Sequence, residues 1–208
     1  MPDIHVPKLG EHGSGKSIFK LVLEVALISV GVFLGLAGEQ WRERAHQREL
    51  AEQALGRFKT EITANRTAVA AVKDYHEDLF EQLNAAITMS PAERDKLHIH
   101  FSGVRPAIFK HAAWDLALAT QSLSYITPDL AFSISELYSV QDQMAGLTSG
   151  MTQAMYAAPP SLNKNEEAFF GAIVLYYGDM KIFEPRLIQM YDAVLPKIDM
   201  ALGEEPKS

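Results

Sequence analysis

Residues Leu21 to Gly38 read L-V-L-E-V-A-L-I-S-V-G-V-F-L-G-L-A-G, eighteen residues in which Glu24 is the single charge and Ser29 the only other polar side chain. At a helical rise of about 1.5 Å per residue, a stretch of about 20 residues crosses the roughly 30 Å hydrocarbon core of a bilayer. Ile18 and Phe19 extend the run past Lys20, whose ammonium at the rim can snorkel to the headgroups. Trp41, followed by Arg42 and Arg44, has the composition of the opposite interface. The pattern predicts a transmembrane helix over 18–40. Two alternatives compete with it. A buried helix of a soluble core would carry a polar face. A cleaved signal peptide would put Gly35 and Ala37 at the −3 and −1 positions of a cut. This run, however, is longer than a usual hydrophobic region of about 7–15 residues, and a long tail precedes it.

The span has internal order. Glu24, Ile28, Gly31, Gly35 and Gly38 recur at spacings of four, three, four and three, which places them on one stripe. Gly31 and Gly35 form G-x-x-x-G, a spacing that lets two spans bring their backbones close, so a homodimer is expected through this stripe. Glu24 lies about one turn into the span. A carboxylate there is a functional candidate by default, although it is also near enough to the interface to snorkel or protonate. Lys8, Lys16 and Lys20 precede the span, and Arg42, Arg44, Arg48 and Arg57 follow it, so the positive-inside rule nearly ties. A short inner tail with the larger domain outside is the arrangement expected here.

Outside the span the chain has the makings of one domain. It has 208 residues, a net charge of −7 and no cysteine. The charge argues against nucleic acid as a partner. The lack of cysteine excludes disulfides, thiolate chemistry and cysteine-ligated zinc. Residues 1–17 carry glycines and prolines and are expected to form a flexible tail. After the span, Leu55, Phe58, Ile62, Val69, Val72, Leu79, Leu83 and Ala86 recur at threes and fours, with Asn65 and His76 in the same register. This is the seam of a long helix, in a coiled coil or a bundle, continuing from the membrane helix. Ser90-Pro91-Ala92-Glu93 is a helix start, expected to run to about Ser102 and stop at Gly103. Further helices are expected from about Pro106, from Thr127-Pro128, and from about Asn163, the last to be kinked or broken at Pro185. Ala158 to Ser161 forms a loop, and the tail frays from Gly203. The fold class is all-α: a transmembrane helix over 18–40 continuing into a helical domain over 41–202, followed by a disordered tail over 203–208.

Several motifs invite chemistry. Gly10-Glu11-His12-Gly13-Ser14-Gly15-Lys16-Ser17 matches G-x-x-x-x-G-K-S, the phosphate-binding loop of nucleotide binders. That loop needs a strand before it and a parallel sheet around it. Here nine residues precede the match, two of them proline, and an apolar span follows. A Gly-Ser linker with a membrane-proximal lysine is the better account. His98, His100 and His111 do not have the i, i+3 or i+4 spacing of zinc ligands on one helix. Glu166-Glu167, Asp192 and Asp199 read as solvated helix faces rather than an acid–base pair. Trp114, Tyr125, Phe132 and Tyr138 fall in one helical hairpin, as core or as a ligand cage. No cofactor and no metal is implied.

One resemblance does appear. The apolar span with internal glycines leads into W-x-E-R (Trp41-Arg42-Glu43-Arg44) and a charged helix ending in E-I-x-x-N (Glu61-Ile62-Thr63-Ala64-Asn65). A later A-W-D-x-A (Ala113 to Ala117), a step from Leu123 to Ile126, and a helix ending in L-Y (Leu137-Tyr138) follow. Together, over roughly residues 20–145, this resembles a group of bacterial single-pass membrane proteins to which no activity is assigned. Where those proteins often carry asparagines beside the tryptophan, this chain has Leu36-Ala37-Gly38-Glu39-Gln40. The resemblance implies a bacterial inner-membrane anchor and a helical domain, and names no reaction. The expected partners are the lipid bilayer, a second copy of the chain, and a protein of unspecified kind. The domain is expected on the periplasmic side, acting by contact or sensing, with a ligand-binding or enzymatic domain as the alternative and a nucleotide binder as a distant third.

Overall fold

The computed structural model describes residues 14–94, 96, 98–157 and 166–204. Helix α1 is Ser14–Ala86, α2 Pro91–Arg94, α3 Ala112–Ala119, α4 Pro128–Ala157 and α5 Glu166–Leu202, with a short 3-10 turn over Ser122–Tyr125. Among the described residues there is no strand. The chain divides into two compact units, Met1–Gln47 and Arg48–Ser208.

The first unit contains the N-terminal part of α1, which is long and apolar enough to cross a membrane. Every large apolar side chain from Phe19 to Leu36 is at least 50% exposed. No part of the most apolar window is buried among the described residues. Ser29 satisfies its hydroxyl by donating to the Val25 carbonyl at 2.8 Å. Arg42 pairs with Glu39 at 2.8 Å. A Cβ added at Gly31, Gly35 or Gly38 would meet no atom within 4 Å. Gly10 to Gly13 of the phosphate-loop match lie outside the described residues, and Ser14 to Ser17 are already helical.

The second unit is built on three long helices. Most of the α1 seam is buried as its periodicity predicts: Phe58, Ile62, Val69 and Ala86 are fully enclosed and Leu55, Leu79 and Leu83 nearly so, while Val72 is only half-buried. Asn65 and His76 sit inside that seam, both at 0% exposure, not at its edge. Helix α5 runs antiparallel to α1. Arg66 Nε donates to Asp192 at 2.6 Å and Lys59 pairs with Asp199 at 2.8 Å. Lys181 meets Glu81 further along the same helix pair. Helix α4 runs parallel to this part of α1, because Tyr138 reaches Glu61 and Gln141 reaches Asn65. Leu130, Ile134, Leu137, Val140 and Met144 fill its inward face, as Val174, Tyr177, Met180, Leu187, Tyr191, Val194 and Ile198 do for α5.

Three local expectations are corrected. The helix that opens at Ser90 stops at Arg94 rather than near Ser102. Its start forms as expected, with Ser90 N and Oγ both donating to Glu93 Oε2, at 2.8 and 2.7 Å. These bonds hold the Glu93 carboxyl below its usual range. Beyond it, Ile99 packs on the core between exposed His98 and His100, a two-residue alternation that a helix cannot place on one face. The segment is then pinned from outside: Tyr75 and Tyr177 hydroxyls both donate to the Gly103 carbonyl, at 2.8 and 3.3 Å. Gly103 has φ +92°, a conformation that favours glycine. The helix expected from Pro106 begins at Ala112, leaving Ile108 78% exposed outside it. Helix α5 is not broken at Pro185; it passes through both Pro185 and Pro196. Packing on either side of Pro185 compensates for the missing bond, since Glu184 and Leu187 are both buried. The expected Ala158–Ser161 loop and the Asn163 start lie outside the described residues. At the other end Gly203, at φ +73°, closes α5: Gly203 N donates to Met200 O at 3.1 Å and Glu204 N to Asp199 O at 2.9 Å.

Pro196 is exposed and lacks the N–H that would bond the Asp192 carbonyl. Replacing it with alanine is expected to stabilise the chain by about 1–3 kcal/mol. Thermal melts of the full chain in detergent, followed by circular dichroism, would show a higher Tm; an unchanged or lower Tm would contradict this account of α5.

Candidate functional site

Glu61 and Asn65 lie one turn apart on α1 and project from its seam toward the start of α3. Glu61, 7% exposed, accepts the Ala113 backbone N–H at Oε2 (2.9 Å) and the Tyr138 hydroxyl at Oε1 (2.7 Å). The N-cap residue of α3, His111, makes no side-chain capping bond of its own. Glu61 therefore caps α3 from another helix, placing its charge where the helix dipole favours an anion. Asn65 grips the same loop with both ends of its amide: Lys110 N donates to Oδ1 at 2.7 Å, and Nδ2 donates to Lys110 O at 2.8 Å. The same Nδ2 donates to Gln141 Oε1 at 3.0 Å.

Aromatic packing closes the cluster. The Trp114 and Tyr138 rings stack with centroids 5.1 Å apart at 20°, and Phe58 tilts against both. The His111 ring meets Tyr138 edge-on at 5.3 Å. Burial, with the bond to Glu61 added, pushes the Tyr138 phenol well above its usual range. Tyr125 and Phe132 are 38% and 71% exposed and stand outside this stack. The four aromatics of the hairpin thus do not converge; two fill each other's faces and two point away. E-I-x-x-N, A-W-D-x-A and the Leu137-Tyr138 step do meet in one place, with Ala117 and Ile126 buried beside them.

A second polar pair lies deeper in the same core. His76 and Glu184 are 0% and 1% exposed, with Nδ1 and Oε1 2.5 Å apart. His76 Nε2 stands 2.9 Å from the Val104 carbonyl, which can only accept. Nε2 therefore carries a proton, and one further proton lies between Nδ1 and Oε1. Tyr75 and Tyr177 tilt against the imidazole at 5.5 and 5.4 Å. His76 is visible in the α1 seam. Its partner was missed, yet it leaves a signal: Glu184 takes a seam position in the series Met180, Glu184, Leu187, Tyr191, Val194, Ile198.

The remaining candidates separate. His98 and His100 are exposed. His111 lies between Asp115, at 2.9 Å, and Asp142, at 3.3 Å. Glu167 pairs with Arg94, Asp192 with Arg66 and Asp199 with Lys59, each in its own place. Bonds from Asp199 and Glu204 raise Lys59 above its usual range. Two surface grooves are relevant. One, of about 510 Å³ beside α1 and α3, has Arg57, Glu61 and Lys110 in its lining. Both carboxylate oxygens of Glu61 are committed there to Ala113 and Tyr138. The other, of about 720 Å³, is bounded by α4 and α5 and is mainly apolar.

Two sets of variants test this layer. Tyr138→Phe leaves the Glu61 carboxylate short of a donor and is expected to cost about 1–3 kcal/mol. The Tyr191 hydroxyl is buried with no partner among the described residues. Tyr191→Phe is expected to stay within about 0.5 kcal/mol at neutral pH. Burial raises the Tyr191 phenol above its usual range. Its contribution is thus complete below about pH 10, where the unfolded tyrosine is still neutral, and is lost as pH rises beyond that. Denaturant titrations at pH 8 and pH 11 should show a shallower alkaline loss for Tyr191→Phe than for the parent; an equal loss would refute the assignment. For the buried pair, His76→Leu alone should cost about 3–5 kcal/mol, and His76→Leu with Glu184→Leu should recover much of it. A double variant worse than the sum of the singles would count against this reading.

No protein-family model, no curated protein sequence and no solved structure matches the chain.

Proposed function

We propose that this is a bacterial inner-membrane protein of the single-pass group it resembles, anchored by residues 18–40, whose periplasmic helical domain acts by protein–protein contact. The observation that carries the reading is the exposure of the apolar stretch: from Phe19 to Leu36 each large side chain is at least 50% exposed. Leaving that much contiguous apolar surface in water is unfavourable at roughly 25 cal/mol per Å², and a bilayer removes the cost. Lys20 at one rim, and Trp41 with Arg42 at the other, supply interfacial anchors. The polar cluster supports contact rather than catalysis, because Glu61, Asn65, His76 and Glu184 all hold one chain segment against another.

The homodimer is the second element of the proposal. Gly31 and Gly35 offer bare backbone on one stripe, and the Glu24 and Lys20 side chains make no hydrogen bond or ion pair among the described residues. In lipid, a second helix on that stripe supplies the close packing that glycines permit. The absence of cysteine makes a single introduced thiol unambiguous. Ile28→Cys, on the stripe, is expected to form a disulfide-linked dimer in native membranes, Phe33→Cys, on the opposite side, is not, and Gly31→Leu with Gly35→Leu should abolish the cross-link. Alkaline carbonate extraction of the parent, with a reporter fused at the C-terminus, tests the anchor and its orientation separately. Release into the supernatant would end the membrane reading; cross-linking equal at both cysteines would end the dimer reading alone.

A further inference from the structure

We propose that the groove between α4 and α5 receives an amphipathic helix of a partner protein whose apolar face is flanked by lysine or arginine. The inference rests on reading the domain as a contact module and specifies what it contacts. The groove of about 720 Å³ is lined by Leu147, Met151, Leu175 and Phe183, and Ile182 stands beside them. Leu175 and Ile182 are 73% and 69% exposed on α5, and Leu147 is 39% exposed on α4. Leu175 and Ile182 are seven residues apart, two helical turns, which is the repeat an incoming helix presents along its own apolar seam. Apolar side chains gathered this way, unlike scattered ones, mark a contact surface.

The opposite wall has the shape such a helix needs. Gly146 and Gly150 lie one turn apart on α4, and a Cβ built at either meets nothing within 4 Å. An incoming helix can approach closer over bare backbone than over side chains, and helix pairs pack at axial distances of about 8–10 Å set by the residues at the contact. Neither glycine has a positive φ that would demand glycine.

Charge selects the occupant. Asp142 and Asp179 are in the lining, and no lysine or arginine is. Asp142 also faces His111 Nε2 at 3.3 Å, whereas Asp179 has no ion pair among the described residues. The nearest basic groups along α5 are engaged elsewhere, Lys181 with Glu81 and Arg186 with Glu136. A second copy docking here through a two-fold axis would set this acidic rim against itself, in a chain of net charge −7. A helix with basic flanks meets both the apolar floor and the two carboxylates.

The probe is a fluorescent 18-residue peptide of leucine and lysine, with leucine at helical three–four spacing. It is titrated into the full chain in nanodiscs of neutral phosphatidylcholine, and empty discs give the baseline. Binding above that baseline is expected to saturate at one peptide per chain and to weaken with added salt. Asp179→Lys and Gly146→Leu should each weaken it at least tenfold. Gly146→Leu has room in the fold, and Phe132→Ala, exposed elsewhere, should leave binding unchanged. A matching leucine–glutamate peptide should not bind. Four results would overturn the proposal: equal binding to empty discs, equal binding of the acidic peptide, indifference to both groove variants, or self-association of the chain that the same variants abolish. The cross-link at Ile28→Cys is read on the same discs, so absence of peptide binding by a chain with the groove unaltered and the cross-link formed defeats the groove and leaves the anchor standing. A chain that fails to enter discs is titrated in buffer, where the same outcomes apply to the groove.

Discussion

A buried carboxylate at the start of a short helix holds the second unit in its arrangement. Glu61 ties α1 to α3 through the Ala113 N–H and to α4 through the Tyr138 hydroxyl. Helix α3 has only eight residues, too few to persist on its own, and it has no side-chain cap of its own. Its position therefore depends on groups that reach it from α1. Asn65 fixes Lys110, the residue before the N-cap, and the Trp114 ring, carried on the first turn, then has a fixed place against Tyr138. Truncating Glu61 would strand two buried donors at once, which is the expensive direction in hydrogen-bond energetics.

The same logic runs further along α1, where a hydrogen-bonded His–Glu pair replaces the single carboxylate. His76 and Glu184 gain nothing over leucines in burial, and buried pairs of this kind are weak contributors to stability. Their geometric content is greater. The Val104 carbonyl on one side of the ring and Glu184 on the other leave one rotation of α5 against α1 that satisfies every atom. Tyr75 and Tyr177 add a shared anchor at the Gly103 carbonyl. A segment without regular structure, residues 98–110, is thereby held by side chains of the helices it crosses.

Much of this architecture is legible in the chain. The apolar run of Leu21 to Gly38 and the three–four seam from Leu55 to Ala86 are long, periodic signals, and both elements are present where the pattern puts them. Asn65 and His76 stand out as polar residues in an apolar register, and burial explains them. What escaped is what depends on partners distant in sequence. The bonds that pin the chain beyond Arg94 come from Tyr75 and Tyr177, which are distant in sequence. Nothing local says that Pro185 will be carried inside a helix, since neighbours on α1 and α4 hold it there. The two-residue alternation of Ile99 between His98 and His100 was readable and outweighed by the cap signal before it. The convergence of Glu61, Asn65, Trp114 and Tyr138 was present only as separate motifs; their contact needed the topology.

The distance along the chain between His76 and Glu184 has a consequence for biosynthesis. Their hydrogen bond closes over 108 residues, so the seam of α1, with its fully buried phenylalanine and isoleucine, is made long before α5 exists to cover it. Contacts so remote in sequence form late and slowly. During translation the part of α1 that α5 covers presents a greasy, partly polar ridge until α5 emerges, a state prone to capture by other chains. A nascent chain of this design therefore needs either shielding by a chaperone or rapid release once α5 has been synthesised, and its yield in a cell should be governed by that interval more than by the final stability of the folded bundle.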